Sequence, residues 1–255
     1  MLRLLSEKHS THKALFEDTT QIFLRTTNME NIKDYHIKIV TGQYQKAPPE
    51  QKKMIQELFG ENAEYNYEIY FHWYNVLHEL GHAIMMFNAS SRPHPAEEEQ
   101  LVNNFAYAYW KHYGDQKKLT ALCSIVDETI RKFTIPTYDN EDYMNYAKKM
   151  WGTDELFSFN NYGWFQFSSV QAAITEASNL EQVLNRMCSV KVSPQKVETL
   201  RYEICDQMAA LVVADAVRLM KDWGVRLPEG NEIVFCDDVN CHMCQVENLH
   251  DGTVY

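Results

Sequence analysis

The sequence predicts a mainly α-helical protein with a few short β-strands. Through most of its 255 residues, apolar side chains recur three and four positions apart, which is the spacing of a helix that buries one face. Proline opens and glycine closes two of these stretches, an asymmetry that is typical of helices. Only two short runs rich in β-branched residues, HIKIV at 36–40 and NEIVF at 231–235, indicate strands.

The predicted helices follow one another with short breaks between them. They are expected at residues 11–27, 48–60, 64–88, 96–114, 116–133, 140–150 and 193–224. In the last of these, Ser193 is the predicted N-cap, Pro194 the first helical residue and Gly224 the end. Residues 157–169 contain turn residues and aromatics without a clear period, which predicts a loop or an irregular pair of strands. No repeat or low-complexity linker divides the chain, so we expect one domain over residues 1–255 with a helical C-terminal part.

Composition and charge argue against two classes of binding partner, nucleic acids and membranes. The net charge is −11, from 24 basic and 35 acidic residues, which weighs against nonspecific binding to nucleic acids or anionic membranes. No apolar run approaches the roughly 20 residues that a membrane span needs. The first residues, MLRLLSEKHSTHK, lack the apolar core of a signal peptide, so we expect a cytoplasmic protein with no nucleic-acid or membrane partner. The sequence gives no indication of whether the protein is a monomer or an oligomer.

The stretch NVLHELGHAIM, residues 75–85, carries the strongest chemical signal. Its His78 and His82 are four positions apart on a predicted helix, so both imidazoles can reach a single Zn²⁺. Glu79 lies on the flank of that face, where its carboxylate can hydrogen-bond a water without occupying the metal. Gly81 permits a close approach by another segment. The pattern therefore predicts two metal ligands and a general base.

A catalytic zinc usually has three protein ligands and one open position, so a third ligand is expected on a separate element. Downstream, EEEQLVNNFA places three carboxylates, Glu97, Glu98 and Glu99, at the start of a helix. His94 in the preceding loop is a competitor. An acidic first turn is also common without any metal, because the helix dipole favours negative charge there. From the residues alone the choice among these four stays open.

The two motifs together resemble the glutamate-zincin metallopeptidases, and most closely the ImmA/IrrE type. In that family HELGH precedes a glutamate helix of the form E-x-x-A-(N/D)-x-F-A, which resembles residues 99–106 here. The resemblance implies a zincin-like fold, Glu99 as the third zinc ligand, and Asn103 as a residue that orients a ligand histidine. Val102 departs from the family, which usually has alanine there. The resemblance covers about residues 70–113 and implies a peptide or protein substrate.

The sequence offers a candidate second metal site near the end of the chain. Three cysteines have metal-like spacing there, with His242 or His250 as a fourth ligand: Cys236, Cys241 and Cys244. Reduced thiols, or a redox-active Cys241–Cys244 pair, are simpler interpretations. For stabilising a developing oxyanion, the sequence offers Tyr162 and His112 by chemistry only.

The predicted function is zinc-dependent hydrolysis of peptide bonds. His78, His82 and Glu99 would hold Zn²⁺, and Glu79 would act as the general base. Two other classes stay open. One is a non-catalytic zinc-binding regulator, and the other is a helical interaction protein whose only metal site is the cysteine cluster.

Overall fold

The computed structural model describes residues 19–24, 35–136, 142–189, 191–195 and 198–236, with only the backbone for 19–24 and 236. Its helices confirm the predicted mainly α-helical class. They are α1 (Pro49–Phe59), α2 (Ala63–Tyr67), a π-helix (Glu68–Asn75), α3 (Val76–Asn88), α4 (Pro95–Tyr113), α5 (Gln116–Ile130), α6 (Tyr143–Met150), α7 (Phe159–Glu176), α8 (Leu180–Met187) and α9 (Met208–Asp222). A short 3₁₀ turn spans Tyr44–Lys46.

A small sheet packs beside these helices. Its strands are β1 (Thr19–Leu24), β2 (Tyr35–Gly42) and β3 (Gly230–Cys236), in the order β1-β2-β3. β1 runs antiparallel to β2 and β3 runs parallel to it. The two strands predicted from β-branched runs are therefore confirmed as β2 and β3.

The helix predicted over residues 11–27 is wrong in its second half, because Thr19–Leu24 forms strand β1. This segment, TTQIFL, is rich in β-branched and aromatic residues, which favour strands when a partner is available. β2 supplies that partner along its whole first part, from Tyr35 to Val40. Tertiary pairing thus outweighs a helical spacing of apolar residues.

The expected long helix at 64–88 is present as a continuous run of α2, the π-helix and α3. Every residue from 69 to 85 is buried, so this run passes through the core and has no solvent-facing side there. α3 packs against α4, α9 and strands β1 and β2. The Trp73 and Trp110 rings stack 4.1 Å apart between the π-helix and α4, and Trp110 Nε1 donates to the Trp73 carbonyl at 2.9 Å.

Helix α4 is the second central element. It contacts α3 on one side and α7, α8 and α6 on others. α7 occupies residues that the sequence predicted as a loop or strand pair, so that prediction is wrong. Ser158 caps α7 by accepting a hydrogen bond from the Asn161 backbone, and the aromatic side chains that blurred the helical period are mostly buried.

The helix predicted over residues 193–224 begins only at Met208, so its first half is wrong. The described residues before Met208 hydrogen-bond to other elements instead of continuing a helix. Leu200 N donates to the Tyr113 carbonyl at 2.7 Å, and Tyr202 OH donates to Asp215 at 2.8 Å. The chain therefore crosses the end of α4 before entering α9. Among the described residues, no helix combines the length and apolarity that crossing a bilayer requires.

Candidate metal centre

Helices α3 and α4 bring together the three predicted metal ligands. His78 and His82 are one turn apart on α3, with ring centroids separated by 5.1 Å. Glu99 reaches them from the first turns of α4, and one potential ligand atom from each of the three side chains lies within 4.8 Å of the others. All three side chains are buried, so the cluster sits between the two helices.

The close approach of α3 and α4 depends on Gly81. A Cβ atom at this position would lie 2.8 Å from the Cβ of Val102 and 2.9 Å from its Cγ1, which is closer than real side chains pack. Gly81 thus provides the space that Val102 occupies. The departure from the family pattern at residue 102 is accommodated here, and the two helices still meet at the ligand positions.

His78 is oriented by Asn103. The Nδ1 atom of His78 lies 2.9 Å from the side-chain oxygen of Asn103, and Tyr74 OH donates to that same oxygen at 3.0 Å. Because an amide oxygen can only accept, Nδ1 of His78 carries the proton and Nε2 is the atom that points into the cluster. The contact expected between Asn103 and a ligand histidine is therefore present.

His82 is oriented by Glu98 in the same way. Its Nδ1 lies 2.8 Å from Glu98 Oε1, and Arg92 Nε donates to Glu98 Oε2 at 2.7 Å. Burial raises the pKa of Glu98, but His82 and Arg92 outweigh it and lower this pKa to about 2. Glu98 is therefore an ionised carboxylate that orients the imidazole of His82, one of the predicted ligands.

The remaining two candidates for third ligand have other roles among the described residues. His94 caps α4, since its Nδ1 accepts a hydrogen bond from Ala96 N at 3.2 Å. Glu97 is half-buried and pairs with Lys148. With Glu98 turned to His82 and Arg92, Glu99 is the carboxylate that the structure brings to both imidazoles.

Glu99 is 2% exposed and faces the Nε2 atoms of both histidines. Its Oε2 lies 3.2 Å from His78 Nε2, and its Oε1 lies 3.8 Å from His82 Nε2. Although burial raises the pKa of Glu99, the two imidazoles lower it well below its usual range. Burial also lowers the pKa of His82, whereas at His78 the Glu99 carboxylate outweighs burial and raises the pKa.

One buried atom at the centre of this cluster makes no hydrogen bond. Among the described residues, His82 Nε2 has no donor or acceptor within hydrogen-bonding distance. A buried polar atom without a partner is costly, and a divalent cation between the three side chains would supply one. Two imidazoles and one carboxylate are a donor set that suits zinc, so the residues fit the metal that the sequence predicts.

Glu79 lies beside the cluster and is 4% exposed. Its Oε1 is 3.9 Å from His78 Nε2, and it is not part of the group of three potential ligands. The Glu79 carboxylate therefore lies next to the potential ligand atoms, to one side of them, as its position after the first histidine predicts.

Of the two oxyanion candidates, only Tyr162 lies near the cluster. Its hydroxyl oxygen accepts a hydrogen bond from Gln166 Nε2 at 2.9 Å, and the same nitrogen donates to Glu99 Oε2 at 3.0 Å. His112 is thirteen residues beyond Glu99 on α4, about 20 Å along the helix axis, so it is excluded from this site.

The cysteine cluster gives no further information, since Cys241, Cys244, His242 and His250 lie outside the described residues and only the backbone of Cys236 is described. Gln166, Arg92 and the role of Glu98 were not predicted from the sequence. Their only sequence signal is weak: Gln166 is an isolated amide in an aromatic run, and Arg92 lies in the short loop before α4.

Comparisons with protein-family models, with curated proteins and with solved structures found no match to this chain. The resemblance to glutamate zincins therefore stays a prediction from two motifs, and so does the zincin-like fold.

Proposed function

We propose that the protein is a zinc-dependent metallopeptidase. The observation that carries this proposal is the meeting of His78, His82 and Glu99 beside the Glu79 carboxylate. Within the described part of the chain the cluster has three potential ligands, which is the number a catalytic zinc uses, whereas structural zinc sites are closed by four. The Glu79 carboxylate beside this cluster can serve as the general base that hydrolysis needs.

In this proposal each side chain has a defined task. His78, His82 and Glu99 would hold Zn²⁺, which would supply Lewis-acid chemistry for the water and the scissile carbonyl. Glu79 accepts a proton from the attacking water and delivers a proton to the leaving amine. Asn103 and Glu98 hold the two imidazoles in the tautomer that presents Nε2. The substrate class, a peptide or protein, comes from the family resemblance.

The decisive experiment compares the wild type with Glu79→Gln for both zinc content and peptide hydrolysis. The wild type is expected to hold a single zinc ion per chain and to cleave members of a broad peptide library. Glu79→Gln is expected to keep the zinc and to lose at least about 10²–10⁴-fold in rate, because the base is removed and the ligands are retained. Zinc content is measured by elemental analysis and cleavage by mass spectrometry.

Two further variants serve as controls. His78→Ala is expected to lose the metal itself, and Glu50→Gln, at an exposed position of α1, is expected to change neither quantity. Unchanged hydrolysis in Glu79→Gln would refute the assignment of the base, and full zinc occupancy in His78→Ala would refute the ligand set.

A non-catalytic zinc-binding regulator is the second candidate. The observation that favours it is burial, since the three ligands and Glu79 are each between 2% and 5% exposed. A site that only stabilises a surface needs no access for a substrate. Wild-type protein that holds zinc and cleaves no peptide in the library would favour this candidate.

A further inference from the structure

The side chain of Gln166 on α7 makes a contact that the proposed mechanism does not use. It is 8% exposed and lies within the segment GWFQF, between aromatic neighbours. Its Nε2 donates to Glu99 Oε2 at 3.0 Å and to Tyr162 OH at 2.9 Å. An amide is costly to bury in such a setting unless its hydrogen bonds are made. Both N–H groups of Gln166 are directed to oxygens, and one of those oxygens belongs to a potential metal ligand.

The chemistry of Glu99 decides which way this amide points. An ionised carboxylate can only accept hydrogen bonds, so the NH₂ end of Gln166, and not its carbonyl oxygen, must face Glu99. The Tyr162 hydroxyl then accepts the second N–H. The amide is thus fixed at both of its donors, and Glu99 is held from the side of α7 as well as by its own helix.

We propose that Gln166 is a positioning residue that holds the Glu99 carboxylate in the orientation that meets both imidazoles. This rests on the metal centre of the proposed function. A neutral donor suits the task, because it restricts rotation of the carboxylate without cancelling the negative charge that attracts a cation. Arginine or lysine at the same place would compete with the metal for that charge. The inference gives α7 a part in the site, in addition to its packing against α4.

Zinc affinity measured by competition with a chromophoric chelator tests this role without any need for hydrolysis. Gln166→Met keeps the length and volume of the side chain and removes both donors. We expect it to weaken zinc binding about 10- to 100-fold, the range found when groups that orient a ligand are lost. The absorption spectrum of the Co²⁺-substituted protein, which reports ligand geometry, is expected to change as well.

Gln171→Met is the matched control. Gln171 lies on the same helix and donates to Asp127 at 3.1 Å, away from the ligands. This variant is expected to keep the affinity and the Co²⁺ spectrum of the wild type. Circular dichroism of the metal-free proteins checks the fold. If Gln166→Met does not fold, Gln166→Leu, which is also uncharged and removes both donors, is read in its place with the same expectation.

The outcomes separate this inference from the proposed function. Wild-type affinity and an unchanged Co²⁺ spectrum in a folded Gln166 variant would overturn the positioning role alone. A wild type that holds zinc and lacks peptidase activity would refute the proposed function, yet the affinity comparison would still decide the role of Gln166. A wild type that binds no zinc would overturn both.

Discussion

Glu98 and Glu99 are neighbours in sequence with different environments. Consecutive residues of a helix point about 100° apart, so one carboxylate turns to Arg92 and the Nδ1 side of His82 while the other enters the cluster. The two positions therefore have different expected roles although they carry the same side chain.

Because of this difference, we expect substitutions of Glu99 and Glu98 to lower zinc affinity to different extents. Glu99→Ala removes a ligand and is expected to weaken zinc binding by more than about 100-fold. Glu98→Ala removes only the support of His82 and is expected to cost about 10- to 100-fold. Competition titration with a chelator measures both, and a greater loss in Glu98→Ala than in Glu99→Ala would contradict the assignment.

The sequence was sufficient to predict His78 and His82 from their spacing within HELGH, whereas Glu99 was one of four candidates that only the resemblance to glutamate zincins separated. It was not sufficient for Arg92 or Gln166. Gln166 is 67 positions from Glu99, and its contact exists only because α7 packs on α4. A contact of this kind follows from tertiary packing and cannot be predicted from the spacing of residues within a motif.

At the scale of elements, the close contact between α3 and α4 depends on the absence of a Cβ atom at Gly81. Alanine in place of glycine inside a helix normally stabilises it by roughly 0.5–1 kcal/mol. At Gly81 the added Cβ would instead meet Val102 at 2.8 Å, at the contact between α3 and α4. Overpacking of this kind costs about 1–3 kcal/mol, so the steric cost exceeds the gain in helix propensity.

We therefore expect Gly81→Ala to lower the free energy of unfolding by about 1–2 kcal/mol and to weaken zinc binding, because the ligand helices are pushed apart. Adding Val102→Ala opens the facing space and is expected to recover part of both losses. Denaturant unfolding of the two single variants and the double variant measures this coupling. A Gly81→Ala protein as stable as the wild type would show that the helices separate without cost.

The wrong predictions at this scale share a physical cause. Thr19–Leu24 has apolar residues at helical spacing, yet it pairs with β2. Residues 198–207 also look helical, but their backbone and side chains bond to Tyr113 and Asp215. At 157–169 the error has the opposite sense, since buried aromatics on several faces hide the period of α7. In each case contacts with a distant element outweigh the local pattern.

At the scale of the whole molecule, zinc bound at the proposed centre would couple ligand binding to stability. The proposed ligands come from α3 and α4, which between them pack against most of the other elements. A ligand that binds only the folded state stabilises it by mass action, by about 2.7 kcal/mol when its free concentration is about 100 times the dissociation constant.

Zinc at that concentration is expected to raise the thermal midpoint of the wild type by roughly 5–10 °C, given the usual size dependence. A strong chelator should reverse the shift. His82→Ala should show a midpoint that no longer responds to zinc, and differential scanning calorimetry measures all three. A zinc-dependent shift of the same size in His82→Ala would place the stabilising metal elsewhere.

The pairing of β2 with β3 sets the order in which the molecule can be assembled. β2 occupies residues 35–42 and its parallel partner begins only at Gly230, so α1 to α9 are all made before that partner. During synthesis on the ribosome, the edge of β2 that pairs with β3 stays unpaired until β3 has been made. Pairing the two strands then carries the entropic cost of closing a very long loop. The ligand helices α3 and α4 have both emerged well before then. The centre between them can assemble while the sheet is still incomplete, and late closure of the sheet is expected to be the slow step in folding.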